Sequence, residues 1–186
     1  MNTLRIGIIG AGGVGTTLGQ GWARAGHQVS YGVRDPGAAR PPGGAAVSVA
    51  EAAQGDVVVL ATPFGAAREA LAAAGDLSGK VLIDATNPIG PGFSLALGHS
   101  TSGAEELARL QPGARVVKAF NTTGLENMAE PRYPGGRAAM LIAGDDAAAR
   151  VLVLGLARDL GFEALSVGGL VRARQLEPFA MLWIKL

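Results

Sequence analysis

Leu4-Arg5-Ile6-Gly7-Ile8-Ile9-Gly10-Ala11-Gly12-Gly13-Val14-Gly15 opens the chain with an apolar run that ends in a G-x-G-x-x-G turn. The pattern says little by itself. Its surroundings give it meaning, because residues 14–25 carry the spacing of a helix and residues 28–32 read as a second strand. In a strand–turn–helix setting each glycine has its own reason. Gly10 makes the tight turn, Gly12 lets a pyrophosphate approach the backbone, and Gly15 allows close packing of helix on strand. The pyrophosphate then rests on unpaired amides at the helix N-terminus. This predicts dinucleotide binding at the glycines of the turn, Gly10, Gly12, Gly13 and Gly15.

The same alternation continues to the far end. Strand-like runs fall at residues 4–9, 28–32, 56–61, 80–84, 115–119, 139–143 and 163–167. Helical segments are predicted at 14–25, 48–54, 65–74, 104–110, 146–160 and 176–186. A run such as Val57-Val58-Val59-Leu60 has no polar face, so it belongs in a sheet covered on both sides. The expected fold is therefore α/β: a doubly wound, mostly parallel sheet in a three-layer Rossmann-type arrangement. One domain over 1–186 is expected, with a helical extension over about 170–186. Gly26 and Gly161 stand where helices need a left-handed stop, and Ser48 with Glu51 reads as a capping box. Two stretches, 86–103 and 121–137, read as long irregular loops.

Composition narrows the function. The 186 residues carry 16 Lys+Arg against 15 Asp+Glu, a net charge of +1 that offers no electrostatic footprint for nucleic acid or an anionic membrane. With no Cys, a disulfide scaffold, a thiolate zinc site and a cysteine nucleophile are excluded. No apolar stretch approaches the ~18–20 residues of a membrane span, and the residues after Met1 show no leader signal. A cytoplasmic protein is expected.

The end of the second strand bears on which dinucleotide binds. Val33 occupies the place of the acid that would hold ribose hydroxyls, and Arg34 follows it. An arginine fork there suits a 2′-phosphate, which favours NADP over NAD. Asp35 competes for the role, although Asp-Pro more naturally opens a turn. Arg40 is a further phosphate candidate or simply a solvated loop residue.

Ligands in such sheets sit at the carboxyl ends of the strands. Thr62-Pro63-Phe64, Thr86-Asn87-Pro88-Ile89 and Phe120-Asn121-Thr122-Thr123-Gly124 all fall there, with hydroxyls and amides able to bond a ribose, a carboxamide or a carbonyl. Catalytic groups are sparse. His99 reads as an exposed loop residue, His27 as structural, Asp84 as a cap, and Glu105 and Glu106 as a solvated first turn. Lys118 is a conceivable carbonyl polariser. No triad and no metal-binding motif occur, so no metal and no identifiable catalytic residue are expected. Hydride transfer between stacked rings needs mainly positioning.

Taken with the glycine turn, several segments resemble the NADPH-dependent coenzyme F-420 reductase family. They are Trp22-Ala23-Arg24-Ala25-Gly26-His27, Tyr31-Gly32-Val33-Arg34-Asp35-Pro36, Ala61-Thr62-Pro63, Asp84-Ala85-Thr86-Asn87-Pro88 and Val117-Lys118-Ala119-Phe120-Asn121-Thr122. The resemblance implies hydride transfer between NADP and an 8-hydroxy-5-deazaflavin. It assigns Arg34 to the 2′-phosphate, sets Gly10, Gly12 and Gly15 with Val14 around the pyrophosphate, and places Thr62, Pro63 and Asn87 along the nicotinamide half. Pro88, Asn121 and Thr122 come near the deazaflavin. Hydroxyl donors that family members add around the 2′-phosphate are here replaced by Ala11 and Val33. The wider group includes cytosolic domains of membrane ferric reductases.

Other functions share these features: a β-hydroxyacid or imine dehydrogenase, a flavin or ferric reductase, or a non-catalytic NADP sensor. Finally, Leu176, Phe179, Ala180 and Trp183 are spaced i, i+3, i+4, i+7, with Met181, Leu182 and Ile184 widening the apolar arc. Pro178 is expected in the first turn of that helix, and the arc suggests a homodimer interface.

Overall fold

The computed structural model describes residues 3–185. The predicted helix end at Leu186 and the lead at Met1 lie outside them. The chain begins β1 (Arg5–Ile9), α1 (Gly13–Arg24), β2 (Gln28–Gly32), β3 (Ala45–Val47), α2 (Val49–Ala52), β4 (Val57–Leu60), α3 (Ala67–Ala74) and β5 (Val81–Asp84). A small hairpin follows, β6 (Ile89–Gly90) with β7 (Ser94–Leu95), then α4 (Gly103–Leu110), β8 (Arg115–Lys118) and α5 (Leu125–Ala129). A second hairpin, β9 (Arg132–Tyr133) with β10 (Gly136–Arg137), leads to β11 (Ala139–Gly144), α6 (Ala147–Asp159), β12 (Glu163–Gly168) and α7 (Ala173–Ile184).

Eight strands form one sheet in the order β12-β11-β8-β5-β4-β1-β2-β3. Every pairing is parallel except β11 with β8. The chain winds outward from β1 in one direction to β2 and β3, then in the other through β4, β5 and β8. The reversal opens a crevice between β1 and β4, where ligands bind in this architecture.

Strand alternation explains the layers. Ile6, Ile8, Val57, Val59, Val81 and Ile83 join a core with Leu18, Trp22, Phe120 and the apolar face of α6. Ile9, Val58, Leu60 and Leu82 point the other way and pack on Ala67, Leu71, Ala104, Leu107 and Ala173. A strand buried on both faces cannot alternate with polar residues, so the unbroken valine run is what this position demands.

The expected stops and caps form. Gly26 and Gly161 adopt φ of +94° and +99°, and His27 N and Phe162 N donate back to Trp22 O and Ala157 O. Ser48 Oγ accepts from Glu51 N at 3.2 Å. His27 is structural: Nδ1 accepts from Leu4 N, which leaves Nε2 to carry the proton toward Asp159 at 3.2 Å.

Three expectations need correction. The stretches 86–103 and 121–137 are not structureless, since each folds a short hairpin and the second also holds α5; pieces this short carry little periodicity. The helix α7 starts at Ala173, so Pro178 sits in its interior rather than its first turn. A 3-10 turn over Leu170–Arg172 runs directly into that helix. The apolar arc of α7 also divides. Leu176, Ala180 and Met181 are buried, whereas Phe179 and Leu182 are 50% and 62% exposed.

Glu105 is not a simply solvated acid. Arg174 of α7 donates to both its oxygens, at 2.9 and 2.6 Å, and this hydrogen bonding holds the carboxyl below the usual glutamate range. A depressed folded value means the pair's contribution is complete above the unfolded value, about pH 4.3. It is lost as pH falls through the folded one. Glu105→Gln is expected to flatten the acid limb of the melting-temperature profile below about pH 4.5 while leaving the neutral limb parallel to wild type. Superimposable acid limbs would show that the pair carries none of that dependence.

Candidate functional site

Gly10 takes φ +109°, and its amide donates to Gly32 O at 3.0 Å, tying the end of β1 to the end of β2. A side chain there would collide with Ala61 O. At Gly15 a Cβ would lie 2.2 Å from Gly10 O, so the helix approaches the turn only because that carbon is absent. Gly12 is the N-cap of α1, with no side-chain cap and no acid in the first turn. The first amides of α1 are thus left for an anion. No residue beyond its chain neighbours comes within 4 Å of where a Cβ would stand at Gly12, so this turn opens onto free space. Gly13 differs, for Leu125 of α5 rests over it, 2.9 Å from where a Cβ would stand.

Arg34 is exposed just past β2, and among the described residues it makes neither a hydrogen bond nor a salt bridge. Asp35 is occupied: its Oδ1 accepts from Gly37 N at 3.1 Å and Ala38 N at 3.2 Å. The Asp-Pro turn therefore removes Asp35 from competition for a ribose. Arg40 is likewise held by its own loop, donating to Gly37 O and Ala39 O at 2.7 Å.

A cleft of about 200 Å³ lies at the carboxyl ends of β5 and β8. It gathers Val14, Asn87 and Asn121 from the residues expected at the site, and adds Leu125, Trp183 and Ile184. Asn87 and Asn121 are mutually bonded: Asn121 Nδ2 donates to Asn87 Oδ1 and Asn87 Nδ2 donates to Asn121 O, both at 3.0 Å. Phe120 makes this possible with φ +60°, a conformation strained for an aromatic residue. Burial holds it there, edge-on to Trp22 at 5.5 Å and to Phe162 at 6.3 Å. Thr62 stands two residues beyond β4, beside Gly10, with Pro63 next to it. Pro88 is buried behind Asn87, and Thr122 is half-buried and outside the cleft lining.

Three buried polar atoms of this region have no partner among the described residues: Thr62 Oγ1, Asn121 Oδ1 and Trp183 Nε1. Such atoms cost free energy unless something bonds them. On the cleft lining, Asn121 Oδ1 offers an acceptor and Trp183 Nε1 a donor, a pair that suits an amide-bearing ring.

Lys118 is excluded as a carbonyl polariser, because it is fully buried and engaged by Asp84. Asp84 does act as the expected cap, its Oδ1 accepting from Thr86 N at 2.9 Å and Thr86 Oγ1 at 2.7 Å. His99 is exposed with φ +60° and lies apart from the cleft. A larger hollow of about 490 Å³, lined by Arg137, Arg158 and Glu163 among others, opens at the start of β12, away from the crevice. Among the described residues no helix is long and apolar enough to cross a membrane.

Sequence reasoning missed Leu125, Trp183, Ile184 and Glu177. The first three reach the cleft from elements distant in the chain; Trp183 and Ile184 stand out in the sequence only as part of an apolar arc, and nothing local places any of the three at the cleft. Glu177 carried a usable signal, being an acid on the apolar side of a helix.

Comparison with known proteins decides the kinship. Residues 5–88 match the sequence profile described as NADP oxidoreductase, coenzyme F-420-dependent. A proposed F-420-dependent NADP reductase from Arthrobacter sp. FB24 superposes with TM-score 0.91 at 33% identity, over 98% of this chain and 93% of that one. The chain belongs to the F-420-dependent NADP oxidoreductase family. Protein SMa0349 of Sinorhizobium meliloti, at 30% identity and TM-score 0.83, covers 92% of this chain and 88% of its own. The rat metalloreductase STEAP3 is 35% identical over 185 residues, which is 95% of this chain. The chain spans about a third of that relative's length, 36%. Family membership fits the uncapped glycine turn and the cleft beside it, both on the crevice side of the sheet.

Proposed function

We propose that this chain transfers hydride between NADP(H) and a deazaflavin acceptor of the coenzyme F-420 type. The observation that carries it is the glycine turn, left uncapped and open at Gly12, with Arg34 beside it free of protein partners among the described residues. Gly10, Gly12, Gly13, Val14 and Gly15 would hold the pyrophosphate, and Arg34 the 2′-phosphate. Thr62, Pro63 and Asn87 would line the nicotinamide half, with Pro88, Asn121 and Thr122 toward the acceptor. Bound there, NADPH would supply the hydride for the acceptor. The chain's own part is orientation. Asn87 and Asn121 brace each other, and the orphaned Thr62 and Asn121 oxygens await ligand groups. Trp183, Ile184 and Leu125 give the cleft an apolar wall. No general acid or base is assigned.

Mixing the protein with NADPH and oxidised coenzyme F-420 should bleach the deazaflavin absorbance, with NADH much slower. Absence of bleaching alongside tight NADPH binding would redirect the acceptor. Arg34→Ala is expected to raise the NADPH dissociation constant about 10- to 100-fold, the loss of a charge-assisted hydrogen bond, with NADH binding little changed. An equal loss for both nucleotides would refute that role.

The kinship with rat STEAP3 across nearly this whole chain favours one second reading, reduction of a flavin or metal acceptor by NADPH. A cytoplasmic location and a homodimer through the outward Phe179 and Leu182 of α7 complete the proposal. Light scattering on the purified protein checks the dimer.

A further inference from the structure

Three charged side chains unused by that chemistry are buried together beneath the cleft. Lys118 Nζ lies 2.9 Å from Asp84 Oδ2, 2.9 Å from Glu177 Oε1 and 2.6 Å from Thr86 O. The contacts to Asp84 and Thr86 are hydrogen bonds, and the contact to Glu177 is a charge pair. Asp84 and Lys118 are register partners on β5 and β8, whereas Glu177 comes from α7. Glu177 also accepts from Gly103 N at 2.7 Å and Ala104 N at 3.1 Å, the first amides of α4. Space is made for it at Gly103, where a Cβ would stand 3.2 Å from Glu177 Oε1 and 2.8 Å from Phe64.

Burying three charges is poorly repaid in stability by comparison with apolar packing. What the cluster does uniquely is join four segments, and the joined positions adjoin the cleft. Thr86 precedes Asn87. Lys118 lies three residues before Asn121, whose Nδ2 donates to Leu176 O at 3.3 Å, next to Glu177. Asn121 and Asn87 then bond to each other, so the network closes into a ring. Trp183 lies further along the α7 helix that Glu177 anchors, and it walls the same cleft.

We infer that Lys118 and Glu177 are positioning residues for hydride transfer, setting α7 against the sheet so that Asn121 and Trp183 shape the cleft in which the nicotinamide meets the acceptor. The inference rests on the proposed hydride-transfer reading. Its ligand is the nicotinamide ring, and neither residue touches it.

Glu177→Gln keeps an acceptor for one of the two α4 amides, which bond to different oxygens, and removes the charge facing Lys118. Gly103→Ala is the second variant; its methyl would crowd Phe64 at 2.8 Å and Glu177 Oε1 at 3.2 Å without altering any charge, and it serves if the first fails to fold. The expected result is an NADPH dissociation constant within about threefold of wild type, because the phosphate grip is remote, and a kcat lowered about 10- to 100-fold. Trp183 emission, isolated as the difference from the Trp183→Phe protein, should shift to longer wavelength, and its quenching by NADPH should weaken. Wild-type kcat and wild-type Trp183 emission in a folded variant would overturn the inference. So would an NADPH affinity that falls in step with kcat, which marks a general structural role. If the wild-type protein reduces no deazaflavin, the proposed acceptor falls separately. The positioning claim is then decided by whether NADPH quenching of Trp183 changes in the variants.

Discussion

Lys118→Met is expected to lower the folding free energy by about 3–5 kcal/mol, because it strands two carboxylates in the interior without their cation. Lys118, Asp84 and Glu177 have side chains wholly removed from solvent. The methionine fills most of the volume, so the loss reports charge rather than a cavity. Urea denaturation measures it as a drop in midpoint at constant slope. The same change made in an Asp84→Asn/Glu177→Gln background should cost far less, since no stranded charge remains. A loss below about 1 kcal/mol in the single variant would mean that water or a rearranged partner reaches the carboxylates.

Gly12→Ala is expected to leave stability near wild type and to weaken NADPH binding at least about 100-fold, the loss of two or more charge-assisted hydrogen bonds. The free protein has room for the methyl, and the backbone there, at φ −80°, is one that alanine adopts readily. The bound pyrophosphate does not have that room, because it must approach the same backbone. Gly15→Ala is the contrast. Its Cβ would meet Gly10 O at 2.2 Å, so α1 must retreat from the turn, and stability falls together with binding. Titration of NADPH with parallel thermal melts separates the two. Unimpaired binding by Gly12→Ala would remove the turn from the nucleotide site.

The architecture was largely legible because its signals are local. Val57–Leu60 has no polar alternation, and it lies in the middle of the sheet with apolar cores on both sides. Gly26 and Gly161 stop helices by their own backbone freedom. Signals weakened where pairing outweighs local pattern. Ala45–Val47 is a strand because β2 offers it an edge, and the small hairpins are too short for any period to show.

For the candidate site the division is similar. Gly10, Gly12 and Gly15, Arg34 and the asparagines at two strand ends could be named from spacing, since each is placed by the strand it follows. That Asp35 is spent on its own turn, and that Lys118 is locked away from any ligand, depended on hydrogen bonds no spacing reveals. Leu125 over Gly13 and Trp183 across the cleft come from α5 and α7, far along the chain from the turn they cover.

The order of residues by itself determined a parallel sheet covered on both faces, a glycine turn able to receive a pyrophosphate, and an arginine where a ribose acid would stand. These rest on backbone freedom and on apolar periodicity, which act within a few residues. Tertiary structure alone decided which side chains meet in the cleft, which face of α7 turns inward, and that Asp84, Lys118 and Glu177 share one buried network. Those outcomes depend on contacts between segments as far apart as Gly13 and Leu125, 112 positions, and such contacts exist only once the layers have packed.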